Sequence, residues 1–320
     1  MSMIAVDAMG GDNAPTVVVS GAVMAAKQLG VKILLVGKQD VIETELAKFD
    51  VPKDSISILH APEVIGTDEV PTTAIRRKRD SSIVVGVKAV KEGQASAFVS
   101  AGSTGALLTA ATVHVGRKQG IERPALGAML PNRKNFTLLV DCGANVDCKA
   151  AYLAQFAQLG SEYMAKMRGI KNPRVGLINI GAEEEKGNAL VKEAYGLLGA
   201  LDDINFVGNV EAREVPLGAV DVAVCDAFVG NVILKYTEGL ATGLLGMVKD
   251  ELMADPISKI GALIAKGAFK RVKKRLDYDD IGGAPFLGLN SLVVKAHGSS
   301  NERAICGAIK QCLIFNEKGR

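Results

Sequence analysis

The chain has 320 residues, enough for one large α/β unit or two modest domains, with 48% hydrophobic and 23% charged residues. A net charge of +3, no Trp and only 4% aromatics exclude a globally basic surface and a base-stacking platform, so no nucleic-acid partner is expected. No apolar run reaches the roughly 18 residues of a membrane span, and MSMIAVDAMGG lacks the pattern of a secretory leader. Five Cys without metal-type spacing point to reduced thiols in a cytoplasm.

In chain order, apolar runs predict strands at 3–7, 32–36, 55–60, 97–100, 125–130, 137–141, 174–180, 205–208, 221–225 and 292–295. Helix-compatible segments lie between them at 16–29, 41–49, 83–91, 106–115, 150–168, 189–198 and 232–252. Runs unbroken by polar residues, such as Ile33-Leu34-Leu35-Val36, suit a sheet covered on both faces. The alternation predicts βαβ units and a mostly parallel sheet. With no repeat and no linker, the chain reads as one or two tightly joined α/β lobes without a boundary to place, and residues 1–320 are taken as a single α/β/α catalytic unit.

Residues 255–280 break the rhythm. Lys259, Lys266, Lys270, Arg271, Lys273, Lys274 and Arg275 are interleaved there with Ile257, Ile260, Leu263, Ile264, Phe269, Val272 and Leu276. At about 100° per residue the apolar positions fall on two arcs separated by Gly267, which predicts two short amphipathic helices. Such a basic segment suits a membrane surface or an acidic partner, or else packs on the domain or across a dimer.

Glycine is in excess, 35 residues against a usual share of roughly 7%. Much of it lies in six turns that follow predicted strands: Asp7 into MGGDNAP, Ser100 into AGSTG, Asp141 into CGANVD, Asn179 into IGAEEEKGN, Cys225 into DAFVGN and Lys295 into AHGSSN. Ligands of open α/β sheets bind at carboxyl ends of strands, where glycine lets backbone N–H groups approach an anion and a helix N-terminus adds positive charge. Ser103 and Thr104 offer hydroxyls to phosphate oxygens or cap the following helix. Lys186, just before Asn188 and a helix start, suits phosphate or is an ordinary loop lysine. Asp7, Asp12, Asp141 and Asp226 either hold a divalent cation or, the favoured reading, accept hydrogen bonds from loop amides or pair with Lys186. Cys142 and Cys225 adjoin carboxylates, which raises a thiol pKa, so inert buried thiols are expected. Neither G-x-G-x-x-G nor a P-loop is present.

Taken together, VDAMGGDNAP, HAPEVIGTDEVP with AIRRKRDSSI, SAGSTGALL, DCGANVDCK, NIGAEEEKGN, CDAFVGN, GAPFLGLN and VVKAHGSS resemble the bacterial phosphate acyltransferase family PlsX over nearly the whole chain. Ser103, Ala227 and Cys142 depart from its pattern, in which Asn, Gly and an aliphatic residue are usual. The resemblance implies a three-layer α/β/α fold similar to the isocitrate/isopropylmalate dehydrogenases and phosphotransacetylases, usually as a homodimer. It implies transfer of a long acyl chain from acyl carrier protein to inorganic phosphate, with no metal and no cofactor. The acyl phosphate would pass to a PlsY-type membrane acyltransferase in phospholipid synthesis, which places the protein at the inner face of the cell membrane.

Under this reading the residues expected at the site are Lys186, Asp226, Asn231 and His297 as catalytic groups. Ser103, Thr104, Asp141, Asn145, Asn188, Gly298 and Ser299 are expected to hold substrate or shape the turns. Leu263, Ile264, Lys270, Arg271 and Lys274 are expected to meet the membrane or the carrier protein, with Arg76-Arg77-Lys78-Arg79 as another carrier dock. Other readings are a short-chain phosphate acyltransferase using coenzyme A, an NAD(P)-dependent dehydrogenase of the related fold, and a non-catalytic membrane-docking protein.

Overall fold

The apolar runs assemble into one 11-stranded sheet in the computed structural model, which describes residues 3–276 and 282–318, with the side chains of 273–276 also outside the description. The first half contains β1 (Met3–Asp7), α1 (Thr16–Leu29), β2 (Lys32–Gly37), α2 (Gln39–Leu46), β3 (Ile56–His60), α3 (Pro71–Arg77), α4 (Ser82–Lys91), β4 (Ala97–Ser100) and α5 (Thr104–His114). Then come β5 (Ala125–Pro131), β6 (Phe136–Val140), α6 (Ala150–Arg168), β7 (Arg174–Asn179), α7 (Ala189–Gly199), β8 (Asn205–Glu211) and β9 (Val222–Val224). The chain ends with α8 (Ala227–Leu252), α9 (Pro256–Leu276), β10 (Ala284–Leu287), β11 (Leu292–Lys295) and α10 (Glu302–Glu317).

The strand order is β3-β2-β1-β4-β11-β10-β5-β6-β9-β7-β8. β3, β2, β1, β4 and β11 run parallel, as do β6, β9, β7 and β8. Between these halves β10 is antiparallel to both β11 and β5, and β5 is antiparallel to β6. The two parallel halves therefore run in opposite directions across a seam. The sheet is mostly parallel, as the alternation predicts, but the seam is not visible in the sequence. Helices cover both faces: Ala5 of β1 joins one buried cluster while its neighbours Ile4 and Val6 join another, the period of two that a doubly covered strand requires.

The two-helix expectation for 255–280 is corrected: α9 runs unbroken through Gly267. A glycine inside a helix costs only about 1 kcal/mol relative to Ala, and the flanking Ala, Lys, Arg and Leu offset it. Ile257, Leu263 and Ile264 are 82%, 70% and 82% exposed. The side chain of Lys274 and residues 277–280 lie outside the described residues.

α8 is set against the sheet by a close approach at its first turn. A Cβ on Gly230 would sit 1.9 Å from the Asp141 carbonyl oxygen and 3.0 Å from Cys142 Cα. Both are backbone atoms of the turn after β6 and cannot rotate away. Gly230→Ala is therefore expected to cost about 3 kcal/mol and to lower Tm in calorimetry; an unchanged Tm contradicts this docking of α8.

Candidate active site

The turn after β6 is built around one carboxylate. Buried Asp141 accepts from the backbone N–H groups of Leu126 (3.1 Å), Gly143 (3.0 Å), Ala144 (3.0 Å) and Asn145 (2.8 Å), and from Asn145 Nδ2 (2.7 Å). Burial raises its pKa while the loop amides oppose the rise. Asn145 also donates to the Pro124 carbonyl at 2.8 Å. Both residues hold the turn in shape, the favoured sequence reading for the strand-end acids. Asp7 behaves similarly, accepting from Ser100 Oγ at 2.7 Å and the Met9 N–H at 3.1 Å. Asp226 caps α8 by accepting from the Val229 N–H at 2.9 Å. Among the described residues no group of three or more His, Cys, Asp or Glu is placed to hold a metal ion.

A cleft of about 700 Å³ lies over the seam between α8 and the turn after β11. Its walls include Thr104, Leu126, Ala128, Cys142, Asn231, Leu234, Lys235, Glu238, Ala241, Leu245, Ala284, Lys295, His297, Ser299 and Ser300. At its polar side Lys235 Nζ lies 2.9 Å from His297 Nε2 and 2.8 Å from Glu238 Oε2. The Lys235 ammonium and the Ser299 backbone N–H can only donate, so Nε2 faces one donor and Nδ1 another at 3.2 Å, with Ser299 Oγ 2.8 Å from Nδ1. Burial lowers the pKa of His297, and Lys235 reinforces the shift, which favours the neutral ring.

Lys295, the last residue of β11, donates to the carbonyls of Ala101 (3.2 Å) and Ala296. Burial pulls its pKa down to about 8, against the nearby Asp7. Ser300 Oγ is buried and has no hydrogen-bond partner among the described residues. An unpaired buried hydroxyl costs about 1–3 kcal/mol, so it marks a place where a ligand oxygen would be welcome. Two cations, a neutral imidazole and the unpaired Ser300 hydroxyl at a strand end suit an anion.

The structure thus brings Thr104, Asn231, His297 and Ser299 of the expected residues to the cleft. Gly298 supports the same turn, its carbonyl accepting from the Asp12 N–H at 2.8 Å. Asn231 Nδ2 donates to the Cys142 carbonyl at 3.2 Å and closes one end. Ser103 serves as the cap of α5, its Oγ accepting from the Ala106 N–H at 3.4 Å. Lys186 and Asn188 are exposed on the turn after β7, where Asn188 caps α7, and neither lines the cleft. Lys186 is in no ion pair with Asp7, Asp12, Asp141 or Asp226 among the described residues. Cys142 and Cys225 are buried, and burial first raises both thiol pKa values, the surroundings that suit unreactive thiols. Sequence reasoning missed Lys235, Lys295, Glu238 and Ser300. Lys295 and Ser300 stand within a quoted turn, and Lys235 lies one helical turn after Asn231, but only packing shows that these side chains share a cleft.

The fatty acid synthesis protein family matches residues 2–319. A phosphate acyltransferase of Clostridium botulinum (strain Loch Maree / Type A3) is 51% identical over 317 residues, covering 99% of this chain and 94% of that protein. One from Alkaliphilus oremlandii (strain OhILAs) is 51% identical over 312 residues, covering 98% and 93%. Among solved structures, a phosphotransacetylase from Streptococcus pyogenes superposes with TM-score 0.65 at 19% identity, covering 98% and 94% of the two chains. A 4-hydroxythreonine-4-phosphate dehydrogenase from Klebsiella pneumoniae gives TM-score 0.57 at 13% identity, covering 98% and 99%. At such identities the structures show the shared α/β fold alone.

The lowered pKa of Lys295 fixes a pH dependence. Its cation is lost as pH rises through about 8, below the range of an ordinary lysine. Calorimetric titration with inorganic phosphate should therefore show affinity falling across that pH, and Lys295→Arg should carry binding to higher pH because a guanidinium stays charged. Affinity independent of pH there, or unchanged in Lys295→Ala, removes Lys295 from the anion site.

Proposed function

Because the chain belongs to the fatty acid synthesis protein family, we propose that it is a phosphate acyltransferase that moves a long acyl chain from the thioester of acyl carrier protein to inorganic phosphate. One observation carries the reading most directly. The unpaired Ser300 hydroxyl shares a cleft with Lys235, Lys295 and His297, and the lining of that cleft also includes the apolar Leu126, Ala128, Leu234 and Leu245. Phosphate is held by the two ammonium groups and the hydroxyls of Ser299 and Ser300. One of its oxygens bonds to the thioester carbonyl carbon, the carbonyl oxygen takes up negative charge, and the carbonyl re-forms as the C–S bond breaks and the carrier thiolate leaves. Phosphate is already anionic, and a leaving thiol has a pKa of about 8.5, so neither a strong base nor a strong acid is needed. Catalysis is positioning of the reactants and stabilisation of the oxyanion by donors fixed in advance.

The carrier protein is acidic in this reading and requires a basic rim. Arg76 and Arg77 end α3, whose Pro71 packs beside Gly105, the residue after Thr104 of the cleft. Lys78 is tied to Glu69 at 2.6 Å, which leaves Arg76, Arg77 and Arg79 as the exposed cations of that run. Exposed Ile257, Ile260, Leu263 and Ile264 of α9, beside Lys266, Lys270 and Arg271, suit contact with an anionic bilayer. None of the described helices is long and apolar enough to cross a membrane. Contact with the surface would release an acyl phosphate where a membrane acyltransferase can use it for phospholipid synthesis. The outer stripe of α8, Phe228, Val232, Tyr236, Leu240 and Leu244, is exposed and suits a second copy of the chain.

Palmitoyl-carrier protein should release thiol and form acyl phosphate only when phosphate is present. Lys235→Ala and His297→Ala should each lower kcat/KM for phosphate by roughly 10²-fold. Unchanged rates in both place the chemistry elsewhere, and faster turnover of a short-chain coenzyme A thioester favours the coenzyme A reading. Replacing Leu263 and Ile264 by Asp should abolish co-sedimentation with anionic phospholipid vesicles while turnover in solution persists; a raised KM for the carrier protein instead assigns α9 to carrier docking.

A further inference from the structure

α8 presents two chemically different edges to the cleft. At about 100° per residue its cleft-lining residues separate into Asn231, Lys235, Glu238 and Thr242 on one edge and Leu234, Ala241 and Leu245 on the other. The polar edge meets the turn after β11 through the Lys235–His297 contact. The apolar edge shares the cleft with Leu126 and Ala128 of β5, and Leu234 packs against the buried cluster that contains both. The space between them is left by small residues: Ala128 on β5, Ala241 on α8 and Ala284 on β10.

We propose that this apolar edge is the acyl-chain subsite and that Ala241 sets the length of chain accepted. The proposal rests on the phosphate acyltransfer reading and adds to it the direction of the chain and the residue that limits it. The thioester carbonyl has to lie within reach of a phosphate held near Lys235, Lys295 and His297, so the first methylenes fall beside Leu234 and Ala128. The turn after β6 bounds the cleft at one end: Cys142, Gly143 and Asn231 line it there, and Asn231 is bonded to the Cys142 carbonyl. The chain therefore runs the other way, along α8 past Ala241 to Leu245. From Lys235 to Leu245 the helix advances about 15 Å at 1.5 Å per residue. Ala241 is the one small side chain between two leucines on this edge, so bulk there shortens the subsite without touching the phosphate end.

The test is a kcat/KM series with octanoyl, dodecanoyl and palmitoyl thioesters of the carrier protein, in the full-length wild type and in Ala241→Phe. Each methylene kept out of an apolar site costs about fourfold, so the palmitoyl-to-octanoyl ratio should fall roughly tenfold or more in Ala241→Phe. Ala241→Met, a good helix former with an adaptable side chain, should give a smaller fall in the same ratio and serves if the Phe variant does not fold. A ratio equal to wild type in the folded variant, or an equal loss at all three lengths, overturns the assignment of the chain to this edge. Absence of phosphate-dependent turnover in the wild type with every thioester overturns the acyltransfer reading itself, which separates the two failures.

Discussion

Three reversals of strand direction, at β11–β10, β10–β5 and β5–β6, are the constraint on which the cleft depends. In a parallel sheet the Gly-rich turns at strand carboxyl ends would share one edge. Here the two halves run in opposite directions, so the turns after β4 and β11 open at one edge and the turns after β6 and β9 at the other. α8 starts at the second edge, where Asp226 caps it and Gly230 lies against the Asp141 carbonyl, and it crosses the seam until Lys235 meets His297. One helix thereby joins the chemistry of both halves and lays a half-polar, half-apolar face over the strands between them.

Charge is divided accordingly. The strand-end carboxylates are turned inward and consumed by the fold: Asp141 by four backbone amides and Asn145, Asp226 by the first turn of α8, Asp7 by Ser100 and Met9. A buried carboxylate with this many donors shapes a loop while keeping its negative charge away from an anionic ligand. The cations Lys235 and Lys295 line the cleft beside the orphaned Ser300 hydroxyl, Lys235 paired with Glu238 and Lys295 bonded to backbone carbonyls. The depressed pKa of Lys295 follows from the same half-buried position that aims it at the cleft.

The regular elements were legible because local pattern and tertiary role agree. β1, β4, β11, α1 and α6 fall where apolar runs and helical periodicity place them, each bounded by a turn rich in Gly or small polar residues. β10 was not legible: four residues, Ala-Pro-Phe-Leu, between glycines carry no strand signal of their own, and pairing with β11 and β5 makes them a strand. Lys235 was hidden for a related reason, since a helical lysine facing a cleft and one facing solvent share the same local sequence. Lys186 shows the converse. Its turn has the right residues for an anion, but β9 separates β7 from β6, and neither Lys186 nor Asn188 lines the cleft. The basic amphipathic character of this segment was legible in composition, yet its continuity through Gly267 was not, because a single glycine is too weak a signal to decide between a break and a tolerated cost.

The central claim is that phosphate sits at the Lys235–His297 end of the seam cleft. A crystal structure of the protein soaked in inorganic phosphate tests it most directly. The account predicts tetrahedral density within hydrogen-bonding reach of Lys235, Lys295 and Ser300. Density held instead by the Lys186–Asn188 turn, with the cleft lacking phosphate, would contradict it.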